Sequence, residues 1–113
     1  METIEYGNLV LYKLTGDLPV KLLLELKNKI AEARRTQRAV ALDLTAVTTL
    51  NSNAVGFFSN AQKMLKDAGR ELYLVAPNED VYEIMDLVGL QKKMPVYQEM
   101  EKFMAEVIPK YKK

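Results

Sequence analysis

Four side chains could do acid–base chemistry if the fold gathered them: Asp17, Asp43, Glu71 and Tyr73. No spacing links them, and no helper stands nearby. The chain holds no histidine and no cysteine. It therefore lacks the commonest general base, the commonest transition-metal ligand and any thiol nucleophile. A Ser-His-Asp triad cannot form within it. No glycine-rich phosphate loop is present either. The remaining polar cluster is the triplet Asn51-Ser52-Asn53, just ahead of an apolar run. Its chemistry is hydrogen bonding: all three types cap the free N–H groups at a helix start, and capping is the expected role for Ser52. An enzyme is not expected, and no cofactor or metal is implied.

Composition narrows the class further. Apolar residues make up 49% and charged residues 27% of 113 residues, the balance of one ordinary folded domain spanning 1–113. The net charge is +1, without the basic excess a nucleic-acid footprint needs. Lys110, Lys112 and Lys113 read as a solvated basic tail. No run approaches the ~20 apolar residues of a membrane span. The acidic start Met1 to Asn8 is not a signal peptide, so a cytoplasmic location is the default expectation.

The elements that must position the triplet alternate in type. Leu9–Leu14 reads as a strand, and Gly7-Asn8 could turn it back on Glu2–Tyr6 as a hairpin. Gly16-Asp17 breaks it. Pro19 suits the first turn of a helix reaching Arg34, with Leu22, Leu23, Leu26, Ile30 and Ala31 on the apolar side. Arg38–Leu44 is apolar almost throughout, as in a strand buried on both faces. A second helix runs from Ser52 to Ala68, closed by Gly69. Glu71–Ala76 is a further strand, and Val81, Ile84, Met85 and Val88 mark a short helix ending at Gly89. Met94–Tyr97 contains Pro95 and reads as an edge strand. Gln98–Lys110 reads as a last helix, with Met100, Phe103, Met104 and Val107 inward. Alternation of this kind predicts an α/β domain with helices packed on a central sheet. A closed eight-fold barrel needs a longer chain.

In helix 52–68, Ala54, Phe58, Ala61, Leu65 and Ala68 share the core face. Asn53, Phe57, Asn60 and Met64 fall on a neighbouring face, either the margin of a wide buried stripe or a docking patch beside a polar cap. Gly56 interrupts this helix at a cost of about 1 kcal/mol against alanine. A close backbone approach, either to the sheet or to a partner, would explain it, and close packing inside the protein is the simpler expectation.

The stretch from Leu42 through Asp43, Leu44 and Thr45 to Asn51, Ser52, Asn53, Ala54 and Gly56 resembles the central motif of STAS domains. There an apolar strand ends in Asp-Leu-Ser/Thr, and a loop leads to Asp-Ser-Ser/Thr-Gly-Leu-Gly at a helix start. Asn51 stands for the aspartate, Asn53 for the second Ser/Thr and Ala54 for the first glycine. Leu14-Thr15-Gly16-Asp17-Leu18, Asp67-Ala68-Gly69-Arg70-Glu71-Leu72 and Ala76-Pro77-Asn78-Glu79-Asp80-Val81 extend the resemblance along the chain. It implies the STAS fold: a mixed sheet of four to five strands, with about four helices mainly on one face.

The resemblance also implies a function. Bacterial antagonists of this family regulate transcription by docking an anti-sigma factor, which is itself a Bergerat-fold, ATP-binding serine kinase. Phosphorylation of the second Ser/Thr switches the docking off. Here that acceptor position is Asn53, which has no hydroxyl. A family carboxylate after the Gly-Glu-Leu turn corresponds to Pro19, and the motif aspartate to Asn51. The expected partner face is thus Pro19, Asn51, Asn53, Phe57, Asn60 and Met64, held permanently in the dephosphorylated-like state. Ser52 is the alternative acceptor, one residue out of register and expected to point inward. The competing role is a STAS subunit of an ABC-type lipid-transport complex. Homodimerisation through Met94–Tyr97 or the last helix is a further expectation.

Overall fold

The computed structural model describes residues 1–112. Lys113, part of the expected basic tail, lies outside them. Five strands form one sheet in the order β1-β2-β3-β4-β5. They are β1 Glu2–Tyr6, β2 Leu9–Gly16, β3 Ala39–Val47, β4 Leu72–Val75 and β5 Val96–Tyr97. The Gly7-Asn8 turn brings β1 back antiparallel to β2, with Tyr6 opposite Leu9. The other pairs are parallel, so the sheet is mixed. β3 outlasts its apolar run because β2 continues past an irregularity at Lys13–Thr15, and Gly16 still pairs with Val47.

Strand alternation splits the core in two. Val10, Tyr12, Val40, Leu42, Leu72 and Leu74 face α1 (Val20–Arg35), α2 (Ser52–Asp67) and α3 (Glu79–Val88). These helices bury Leu26, Ile30, Phe58, Leu65, Val81 and Met85 in return. Leu9, Leu11, Ala39, Ala41, Tyr73 and Val75 point the other way. Phe103, Val107 and Ile108 cover them, from the short helices α4 (Met100–Glu106) and α5 (Ile108–Tyr111) and the residue between. β3 is central and covered on both sides, so Ala39 to Leu44 are all buried.

Several local expectations are corrected. Pro19 is the N-cap of α1, in extended conformation, and the helix begins at Val20. Its fixed φ suits either place, but it has no side-chain acceptor, and α1 lacks a side-chain cap. Ala33 carries the inner face and Ala31 is exposed. Ala68 is the exposed C-cap of α2 and not a core residue. Gly69 follows at φ +72, with Gly69 N–H donating to the Lys66 carbonyl and Arg70 N–H to the Leu65 carbonyl, a Schellman closure. The last helix is two. Pro109 cannot donate to the carbonyl four residues back, and its ring crowds that carbonyl, so the helix breaks at Val107.

The second face is knitted by aromatics. Tyr73 sits 5.7 Å from Phe103, 6.1 Å from Tyr111 and 6.3 Å from Tyr97, centroid to centroid. The Tyr73 and Tyr111 hydroxyls hydrogen-bond at 2.9 Å. The Asn8 N–H donates to the Tyr111 carbonyl at 3.0 Å, fastening the chain's end to the first hairpin.

Candidate functional site

The start of α2 is built by one asparagine. Asn51 is the N-cap, and its Oδ1 accepts the Ala54 N–H at 2.8 Å. Its Nδ2 reaches back to the β2–α1 turn and donates to the carbonyls of Asp17 at 3.0 Å and Leu18 at 3.4 Å. Leu18 there adopts φ +56. The amide thus ties together two loops that lie more than thirty residues apart in sequence. An aspartate could keep the cap but would set a carboxylate against two carbonyl oxygens. The expected cap at Ser52 is therefore corrected: Ser52 occupies the first helical position, and it is exposed instead of pointing inward.

Asn78 repeats the device at α3. Its Oδ1 accepts the Val81 N–H at 2.8 Å, and its Nδ2 donates to the Val47 carbonyl at 3.0 Å. Within β3, buried Asp43 accepts the Thr45 N–H at 2.9 Å and the Thr45 Oγ1 hydroxyl at 2.6 Å. The two asparagines lock the loops at the C-terminal ends of the parallel strands.

The four residues that could have formed an acid–base site are not gathered. Asp17 lies in that loop layer, whereas Glu71 precedes β4 at the opposite end of the sheet. Asp43 is occupied by Thr45. Tyr73 is committed to Tyr111, and burial, followed by that hydrogen bond, holds its phenol well above the ordinary value.

With Asn51 doing the capping, Asn53 stands exposed on the first turn of α2. It opens onto a groove of about 500 Å³ between α1 and α2. Asn53, Phe57, Asn60 and Met64 all line this groove, whereas Asn51 and Pro19 are not among its lining residues. Phe57 and Met64 are half-buried, each packing one side against the core and turning the other to the groove. The opposite wall was not expected from sequence. It comes from Val20, Leu23, Leu24 and Lys27 of α1, with Val20 55% and Leu24 58% exposed. Val20, Leu24 and Lys27 recur at four and three residues, a second stripe beside the buried one, and that spacing was the available signal.

Gly56 lies on this groove, and among the described residues nothing beyond its chain neighbours and its own helix backbone comes within 4 Å of where a Cβ would stand. The expectation of close internal packing is overturned. Gly56→Ala should therefore stabilise the free chain by roughly 0.5–1 kcal/mol through helix propensity alone. A urea midpoint that fell would show an obstruction the fold does not contain.

Comparison with known proteins places these features. The family described as the STAS domain matches residues 1–103. The chain is similar to an anti-sigma-B factor antagonist of Staphylococcus epidermidis, 27% identical over 97 residues that span 85% of this chain and 90% of that protein. An anti-sigma factor antagonist from Mycobacterium paratuberculosis superposes with a TM-score of 0.79 at 19% identity, over 94% of this chain and 91% of that one. The antagonist SpoIIAA in its unphosphorylated form superposes with 0.75 at 18% identity, over 92% and 93%. At such identities the superpositions speak for the fold.

Proposed function

The chain belongs to the STAS domain family, and from that premise we propose that it is a non-enzymatic regulatory module of the bacterial cytoplasm. In this reading it docks an anti-sigma factor of the ATP-binding kinase type through the start of α2. The similar proteins are named as anti-sigma factor antagonists, which supports the general role. One observation carries the finer reading: exposed Asn53 occupies the motif's acceptor position, free of capping duty, at the mouth of an apolar groove.

The physical consequence concerns charge. A phosphorylated hydroxyl at a helix start adds a charge of about −2 to a surface that must dock. The amide of Asn53 is neutral and cannot accept a phosphoryl group. The docking surface is then always in its competent state, and control must act elsewhere, on the partner or on the amount of this chain.

The test is capture from native lysate followed by mass spectrometry of both sides. Wild type should retain an ATP-binding kinase and carry no phosphate. Asn53→Asp should weaken retention by about tenfold or more, since an unpaired charge desolvated at an interface costs upwards of about 1.4 kcal/mol. Equal retention of the two forms, or stoichiometric phosphate on Ser52, would overturn the reading.

A further inference from the structure

We propose that copies of this chain associate head to tail, the tip of α3 on one copy seating Leu87 in the α1–α2 groove of the next. The two halves of this contact are separate on the molecule and complementary. Leu87 is 85% exposed, the most exposed of the large hydrophobic side chains, and Val88 beside it is 45% exposed. They end a helix that carries Glu79, Asp80, Glu83 and Asp86 and no basic residue; Lys92 and Lys93 follow beyond the Gly89 turn. Acidic groups in the last turn gain nothing from their own helix, whose C-terminal end is already partly negative. Near the tip itself the acidic groups are Asp86, beside Leu87, and Glu83, one turn back on the same side.

The groove has the opposite character. Its walls are mostly apolar, and among the described residues Lys27 is the only ionisable side chain lining it. Gly56 leaves open space on the α2 side, where an entering side chain meets no Cβ. An apolar knob that fits an apolar groove elsewhere on the same molecule makes a heterologous contact, which leaves one free groove and one free tip at the ends of any open assembly. The assembly therefore closes as a ring or grows as a chain. The contact is small, so association is weak and depends on concentration.

The contact between copies does not depend on the identity of any anti-sigma partner. It has a consequence for one: Asn53 lines the same groove, so a seated copy and a docked partner exclude each other.

Light scattering across about 10 μM to about 1 mM tests it, a range suited to a small interface. The wild-type mass should rise with concentration. Leu87→Ser keeps the groove and loses the knob; Leu24→Asp keeps the knob and spoils the groove. Each change is on an exposed residue, and each variant alone should stay monomeric. Mixed one to one, they should form a dimer and stop there, because only one good knob meets one good groove. A wild-type mass that stays monomeric throughout overturns the proposal and leaves the groove to another occupant. So does undiminished association in either variant, or a mixture that remains monomeric.

Discussion

Phe58→Ala is expected to remove about 3–5 kcal/mol of stability, the cost of a phenyl cavity in a packed core. Phe58 has no exposed surface and lies in the larger core layer, on the inner face of α2. Its ring meets Phe57 edge to face, centroids 6.2 Å apart. Phe57 in turn lines the groove. The void would therefore stand directly beneath the proposed docking surface. Urea denaturation should show a lower midpoint with the slope retained, since the same surface is still exposed on unfolding. A loss under about 1.5 kcal/mol would mean that neighbouring helices collapse into the space, against the rigid packing described here.

Gly7→Ala should cost about 2–3 kcal/mol, for two reasons that add. Gly7 holds φ +61, where a Cβ costs about 1–2 kcal/mol. The new methyl would also stand 2.1 Å from the Tyr111 carbonyl oxygen, so the end of the chain must move. That movement breaks the Asn8–Tyr111 bond, worth about 1 kcal/mol, and pulls Tyr111 from Tyr73. A second readout separates this from general damage. In wild type the Tyr73 phenol keeps its proton to higher pH than an unfolded tyrosine, because burial and Tyr111 both favour the neutral form. Its contribution to stability is complete below about pH 10 and declines as pH rises beyond it, where only the unfolded chain releases the proton. In Gly7→Ala this phenol should titrate earlier by ultraviolet absorbance. An unchanged titration, or a loss under about 0.5 kcal/mol, would mean the C-terminal helix does not rest on the hairpin.

Patterns local to one element were readable before the fold. The continuous apolar run Ala39–Leu44 announced a strand covered twice, and the order of strands and helices announced a central sheet with helices packed on it; its mixed character followed from the family resemblance. The face Asn53, Phe57, Asn60 and Met64 was legible from helical spacing, and all four side chains do line one groove. Contacts between distant segments were not legible. Nothing in Asn51-Ser52-Asn53 says which residue caps, because the deciding bonds run to Asp17 and Leu18. The α1 wall was hidden because Leu22, Leu23 and Leu24 are consecutive, and only packing reveals that Leu24 turns outward. Pro109 did carry a signal, since a proline inside the expected helix Gln98–Lys110 is a known breaker. Gly56 misled because a glycine in a helix suggests a close neighbour, and the fold supplies none.

The two ends of the Asn51 amide answer to different segments, so the side chain can be unlatched on one side only. Asn51→Asp would exchange the donor for an oxygen facing the Asp17 and Leu18 carbonyls, while the bond from the Ala54 N–H survived. The variant would thus keep its second helix and release the loop leading to Pro19. Amide hydrogen exchange in Asn51→Asp should quicken at residues 16–18 and stay slow at Ala54; equal protection in the two proteins would show that the tether does not matter.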